Sequence, residues 1–224
     1  MVRIIQALTA LLLLSSCLLT PGKFVSTLDI KRDRSFTFTY VGEAVVMKDQ
    51  TAKEECEPGK NCDAASVAAA KAKTLAEDEA KLKAIGAALA KESGYRSVQY
   101  VGERKFRVDY QISGKLDRAF LYPFNSDGAA LYPWIAVELR QDGTARVKAP
   151  GFGDEGSAMG PVTGTPLDEA QQREGTFTLT TDAEIVMQNE EGGAQPSAGG
   201  TKTMVWHVTP TSHAVPTAIL RFAN

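Results

Sequence analysis

Reactive side chains are scarce in this chain: its 224 residues include two histidines and three cysteines. A structural zinc site takes about four ligands, so the material for one is nearly absent. Charge of one sign is also missing. Lys and Arg number 25 against 27 Asp and Glu, a net charge of −2, and such a chain has no electrostatic reason to bind nucleic acid. No apolar run approaches the ~20 residues that a bilayer-spanning helix requires. Among catalytic motifs there is no Gly-x-Ser-x-Gly elbow, no His-Glu-x-x-His helix and no Walker phosphate loop. Gly151-Phe152-Gly153 begins like a dinucleotide fingerprint but lacks the strand before it and the helix after it.

What is present starts at the N-terminus. Arg3 is followed by an apolar stretch from Ile4 to Leu14 and then by Leu14-Ser15-Ser16-Cys17. A cationic start, a short apolar core and small residues before a cut site form a secretory signal. Cys17 directly after Leu-Ser-Ser resembles a bacterial lipobox. That resemblance implies cleavage after Ser16 and lipid attachment at Cys17, which becomes the first mature residue. The alternative is an ordinary signal peptide with a coincidental cysteine. Leu18, in place of Asp, favours sorting to the outer membrane by likeness to enterobacterial lipoproteins. The expected segments are a signal peptide over 1–16, an acylated Cys and tether over 17–23, and one domain over 24–224. The composition of that domain, 43% hydrophobic across the chain, is ordinary for a packed core.

Cys56 and Cys62 flank Pro58-Gly59, a turn that brings the chain back on itself. In an oxidising compartment the pair is expected to form a small disulfide loop, and no metal is expected there because no further ligand lies nearby.

Alternation marks the strands. In Ser35-Phe36-Thr37-Phe38-Thr39-Tyr40, aromatics fall on one face and hydroxyls on the other, and Phe106, Val108, Tyr110 and Ile112 repeat the pattern. Further strands are expected over 24–31, 95–101, 131–140, 144–149, 176–188, 203–208 and 217–222. Asp142-Gly143 gives a hairpin signal. Between Asp63, a fitting N-cap, and Glu92 lies a run of Ala, Lys, Glu and Leu that predicts a long helix stopped at Gly94. Val67, Leu75, Leu82, Ile85 and Leu89 give it one apolar side. The expectation is that this side packs on a sheet and the rest faces water, in preference to lying on a membrane. The fold class expected is α+β, a mainly antiparallel sheet packed against one long helix.

Two aromatic-Pro segments, Phe120-Leu121-Tyr122-Pro123-Phe124 and Tyr132-Pro133-Trp134, stand out as a binding feature. Large apolar area with a polar tip suits amphiphilic ligands, so Tyr122, Phe124, Tyr132 and Trp134 are the candidate ligand-binding residues. The competing reading makes them core. His207 and His213 lack partner motifs and read as structural, and no catalytic residue, cofactor or metal is expected.

The segment from Cys17 to Phe24, with Asp33-Arg34-Ser35-Phe36, resembles poorly characterised lipoproteins of proteobacteria. A Thr-rich strand and the Trp206 strand also resemble a mycobacterial lipoprotein family that places a helix on a curved sheet and binds phosphatidylinositol glycolipids. The first likeness implies a lipid-anchored domain, the second a lipid pocket. The function expected is a non-catalytic envelope lipoprotein that binds or scaffolds, with a lipid or hydrophobic-ligand carrier as the alternative. Its expected partners are the membrane, through the anchor, and an envelope protein or a lipid, with no nucleic acid.

Overall fold

The alternating segments pair into strands in a computed structural model that describes residues 19–46, 64–123, 133–154 and 173–222. A seven-stranded sheet is built from β1 (Leu19–Ile30), β2 (Ser35–Val46), β3 (Tyr95–Gly102), β4 (Lys105–Lys115), β8 (Glu174–Thr181), β10 (Gln195–Pro196) and β11 (Lys202–Val208). Its order is β10-β11-β8-β1-β2-β4-β3. A five-stranded sheet, ordered β5-β6-β7-β12-β9, takes β5 (Ala119–Tyr122), β6 (Ile135–Leu139), β7 (Thr144–Lys148), β9 (Glu184–Gln188) and β12 (Thr217–Arg221). β1 and β8 run parallel, and the other strand pairs among the described residues are antiparallel.

This corrects the expected fold class. The chain is mostly β, with two sheets and one α-helix, α1 (Ala64–Leu89), among the described residues. Two local features hid the second sheet. The Thr-rich run over 176–188 reads as one strand but is two, because the chain turns a corner at Asp182-Ala183. There Thr181 Oγ1 accepts the Ala183 N–H at 3.0 Å and the Asp182 carboxylate accepts the Arg32 N–H at 2.6 Å. The second feature is β5, whose short Ala-Phe-Leu-Tyr sequence reads as part of an aromatic loop.

From Phe24 to Ile30 in β1 and from Phe36 to Tyr40 in β2 the even-numbered side chains point inward, and Phe24, Leu28, Ile30, Phe38 and Tyr40 are buried. They face Ile135, Val137, Val147, Ala218 and Leu220 of the smaller sheet in one continuous core. The alternate side chains, with those of the neighbouring strands, form an outer face rich in hydroxyls. Across it Thr27 bonds Thr39 at 2.6 Å, Thr37 bonds Ser113 at 2.8 Å and Thr180 bonds Thr203 at 3.1 Å.

β1 begins at Leu19, five residues before the expected start, and Leu19, Thr20 and Pro21 pair with Val46, Val45 and Ala44. The register slips between Pro21 and Phe24. Opposite the slip sits Gly42, where a Cβ would lie 2.5 Å from the Lys23 carbonyl oxygen. Only glycine allows that approach.

α1 runs antiparallel to β3, because the chain turns at Gly94 (φ +92°) directly into Tyr95. Its second half packs: Leu82 is buried, Ile85 and Leu89 are half-buried, and Gly86 rests against the Phe106 ring. The expected apolar side is therefore only partly used. Leu75 is 58% exposed, and every side chain from Lys71 to Glu77 faces solvent. The side chain of Val67 lies outside the described residues, as does Asp63.

Truncation inside the core should separate sharply from truncation on the bare part of α1. Phe38→Ala is expected to cost ~3–5 kcal/mol, whereas Leu75→Ala should stay within ~0.5 kcal/mol of the parent. Urea unfolding of the two variants measures the contrast.

Candidate functional site

Where the two sheets close on each other, the inward rings of β2 and β4 meet those of β5 and the start of β6. Phe38 and Tyr122 have ring centroids 5.0 Å apart, Tyr40 and Trp134 5.0 Å, and Tyr110 and Tyr122 4.6 Å. Tyr95 closes edge-on against Tyr110 at 4.9 Å. Tilted and edge contacts at these separations suit the ring quadrupole, each contributing about 0.5–1.5 kcal/mol beyond area burial. Tyr122 and Trp134, two of the candidate ligand-binding residues, are 3% and 2% exposed and lie within this seam. Phe124 and Tyr132 lie outside the described residues, as do Cys17, Cys56 and Cys62.

Burying polar tips requires partners. Tyr40 donates its hydroxyl to the Glu43 carbonyl at 2.7 Å. Trp134 donates Nε1–H to the Leu19 carbonyl at 3.0 Å, which ties the first residue of β1 to the opposite sheet. The remaining gap, lined by Leu19, Leu89, Tyr95, Phe106, Tyr122 and Trp134, has a volume of about 20 Å³. That is room for about one water molecule, far below the ~300–1,000 Å³ of a small-molecule site. It lies between helix and sheet, where a lipid pocket was the alternative expectation.

Burial raises the phenol pKa values of this cluster. Tyr40 and Tyr122 are pushed well above the ordinary value by desolvation, with Glu43 beside Tyr40 and neighbouring phenols beside Tyr122 adding to it. Tyr95 is raised to about 12, chiefly by desolvation.

Sequence reading singled out Tyr122 and Trp134 from their Pro-flanked clusters but not Tyr40, Tyr95 and Tyr110, which join them from other strands. Tyr40 and Tyr110 lie on alternating strands, so their burial was legible, whereas Tyr95 is half-buried at the start of β3, where the register slips. Their meeting with Tyr122 was not legible, because that depends on how the second sheet lands.

The histidines lie elsewhere. His207 is exposed on β11, opposite Thr176. The side chain of His213 is 85% exposed, with Nδ1 3.5 Å from Asp154 Oδ2, and the other oxygen of Asp154 pairs with Arg173 at 2.9 Å. The neighbouring Ser212 hydroxyl accepts the Thr209 N–H at 2.9 Å. Asp142 is used in its turn: its Oδ1 accepts from Thr144 N and Oγ1 at 3.0 and 2.6 Å, and these bonds hold its carboxyl below the usual range. Among the described residues, no group of three or more His, Cys, Asp or Glu is placed to hold a metal ion.

No family model and no curated protein matches this chain. Among solved structures, the folded domain of Mycobacterium tuberculosis LppM, determined by NMR, aligns over 93% of this chain and 94% of its own at 10% identity and a TM-score of 0.33. A likeness that weak carries no argument about function.

Two results are expected at this seam. Trp134→Phe keeps a ring but leaves the Leu19 carbonyl without its donor, at a cost of about 1–3 kcal/mol. Amide exchange over residues 19–22 should accelerate in that variant. The second is alkaline instability. Unfolded phenols ionise near pH ~10, while the buried ones hold their protons to higher pH. The fold's advantage is thus whole below pH ~10 and is lost as pH rises through the folded values, to about 12 for Tyr95. Melting temperature should fall steeply in that window, and Tyr122→Phe should flatten the fall.

Proposed function

We propose that this chain is a non-catalytic, lipid-anchored lipoprotein of the cell envelope, held to the membrane through acylated Cys17 and acting there as a binding or scaffolding module. The observation that carries the reading is the start of β1. The signal-like segment ends at Cys17, and the ordered fold is already under way at Leu19, whose carbonyl is bonded across the core by Trp134 at 3.0 Å. A cut after Ser16 would leave the domain intact, and a cut a few residues later would remove paired positions of β1. The junction between leader and fold thus suits processing at the cysteine. Anchoring through several acyl chains is firm, since each buried CH₂ contributes about 0.8 kcal/mol.

The carrier reading is second. Its support is the place of the apolar gap, between α1 and the sheet, and its weakness is the size. To admit an acyl chain, the second half of α1 would have to lift from Phe106 and expose Leu82.

Cys17→Ala is the direct test of anchorage. The parent should fractionate with membranes and carry an acyl-modified N-terminal peptide by mass spectrometry, and the variant should lose both. Equal membrane association of the two would overturn the anchor. Native mass spectrometry of the extracted parent separates the module from the carrier, which alone predicts a bound lipid mass lost on denaturation.

A further inference from the structure

We infer that the outer face of the seven-stranded sheet is the interface of a symmetric dimer, in which two copies of this chain stack face to face about a two-fold axis running along β1 and β2. The inference names a partner for the scaffolding module proposed above, and it rests on that reading only for the direction of the membrane.

The face is ready to be covered. α1 and the smaller sheet pack on the opposite side, against the inward side chains. At its centre Val25 and Val41 lie side by side in register and are left 56% and 51% exposed. Around them the hydroxyls already hold one another in pairs across neighbouring strands, Thr27 with Thr39, Thr37 with Ser113 and Thr180 with Thr203. Burying a polar group is costly when it loses water and gains no partner, and these have partners before any contact is made. The Asp29 carboxylate is likewise taken up, by Lys31 at 2.8 Å.

The charges say what covers it. On the membrane side of the valines, one row reads Glu174, Lys23, Glu43, Arg107 across β8, β1, β2 and β4. Lys23 is in register with Glu174 and Glu43 with Arg107, and the Lys23 N–H donates to Glu43 Oε2 at 3.4 Å. The signs alternate, so the row reads with opposite signs from its two ends. A half-turn about an axis above the line between β1 and β2, and parallel to it, therefore sets unlike charges together at every position of the row. Glu174 meets the partner's Arg107, and Lys23 meets the partner's Glu43. In the next row Val25 meets the partner's Val41, and Asp109 meets the hydroxyl of the partner's Thr176. A different protein would have to supply this order independently, whereas a second copy supplies it by symmetry.

The area suffices. Six strands from β11 to β3 at ~4.8 Å, and eight residues from Lys23 to Lys31 at ~3.3 Å, make a face of ~29 Å by ~26 Å, or ~750 Å² per copy. A standard stable interface takes about 800 Å² from each partner. Stacked sheets keep their strands within about 30° of each other, and an axis along the strands gives that alignment. It also leaves both Leu19 residues at one end of the dimer, so that two acylated Cys17 anchors enter the same leaflet.

The test is the mass of the full-length acylated chain in detergent, read by density-matched sedimentation over a concentration series. Within one chain Glu174 pairs with Lys23 at 3.6 Å, and Arg107 lies three strands away at ~14 Å, so the two act on each other only across the interface. The parent is expected to sediment as a dimer. Arg107→Glu and Glu174→Arg each set like charges together across the axis and should weaken it about tenfold or more. The double reversal restores unlike charges and should recover the parent's affinity. Val41→Lys buries an unpaired charge at the centre and should leave single chains. A parent that stays a single chain at the highest concentration reached overturns the inference, as does a dimer that Val41→Lys leaves intact, or a double reversal no tighter than the single ones. Acyl chains are checked by mass on the same samples. Their absence from Cys17 would remove the anchor reading, while sedimentation still decides the dimer.

Discussion

The fold depends on one contact between sheets: the rings of Phe38 and Tyr40 on β2 against those of Phe120, Tyr122 and Trp134 at the facing edge of the smaller sheet. Two sheets can hide their apolar faces only if large side chains span the space between layers ~10 Å apart. Aromatic rings have that reach. The two sheets are unequal, and α1 fills the area that the smaller one leaves open, setting Gly86 against Phe106 and burying Leu82 in the same core. Helix and second sheet thus share a task, and the seam is where they adjoin.

The polar tips at the seam turn a fit of shapes into a fixed register. A phenol or indole moved into an apolar core without a partner costs more than the hydrogen bond is worth, so partners decide where each ring can sit. Tyr40 reaches the Glu43 carbonyl on its own strand and stiffens β2. Trp134 reaches the Leu19 carbonyl on the other sheet, linking residues 115 positions apart in the chain. The second bond holds the outermost residue of β1, a position that would otherwise fray.

Much of this was legible in the sequence where period-two patterning met aromatic residues. The faces of β2 and β4 follow from Phe36-Thr37-Phe38-Thr39-Tyr40 and from Phe106 to Ile112 without reference to any other segment, and the hairpin at Asp142-Gly143 follows from turn chemistry. What was not legible is long-range. Nothing local in Thr-rich 176–188 reports that its two halves belong to different sheets, because the corner at Asp182 is fixed by Arg32, far away in sequence. Nor does Leu19-Thr20-Pro21-Gly22 look like a strand. A proline and a glycine are poor strand formers, and they are tolerated here because the register slips beside them. The helix misled in the opposite direction. Its apolar positions continue past the last residue that has a sheet to pack on, so pattern alone could not tell the used half from the bare half.

The shortness of the link between Cys17 and Leu19 matters for how such a module works at a membrane. A domain on a long flexible tether samples all orientations, and a surface it carries meets its partner only part of the time. On the proposed anchoring the link is two residues long and its far end is bonded to the core, so orientational freedom is nearly removed. The axis of β1 would then stand away from the bilayer. At ~3.3 Å per residue, the β1–β2 turn would be presented ~35 Å above the headgroups, with the hydroxyl-rich outer face of the larger sheet held to one side. Such a placement narrows the set of partners to those that present a surface at that height and from that side, and this geometric selection is available to a scaffold without a pocket or a reactive group.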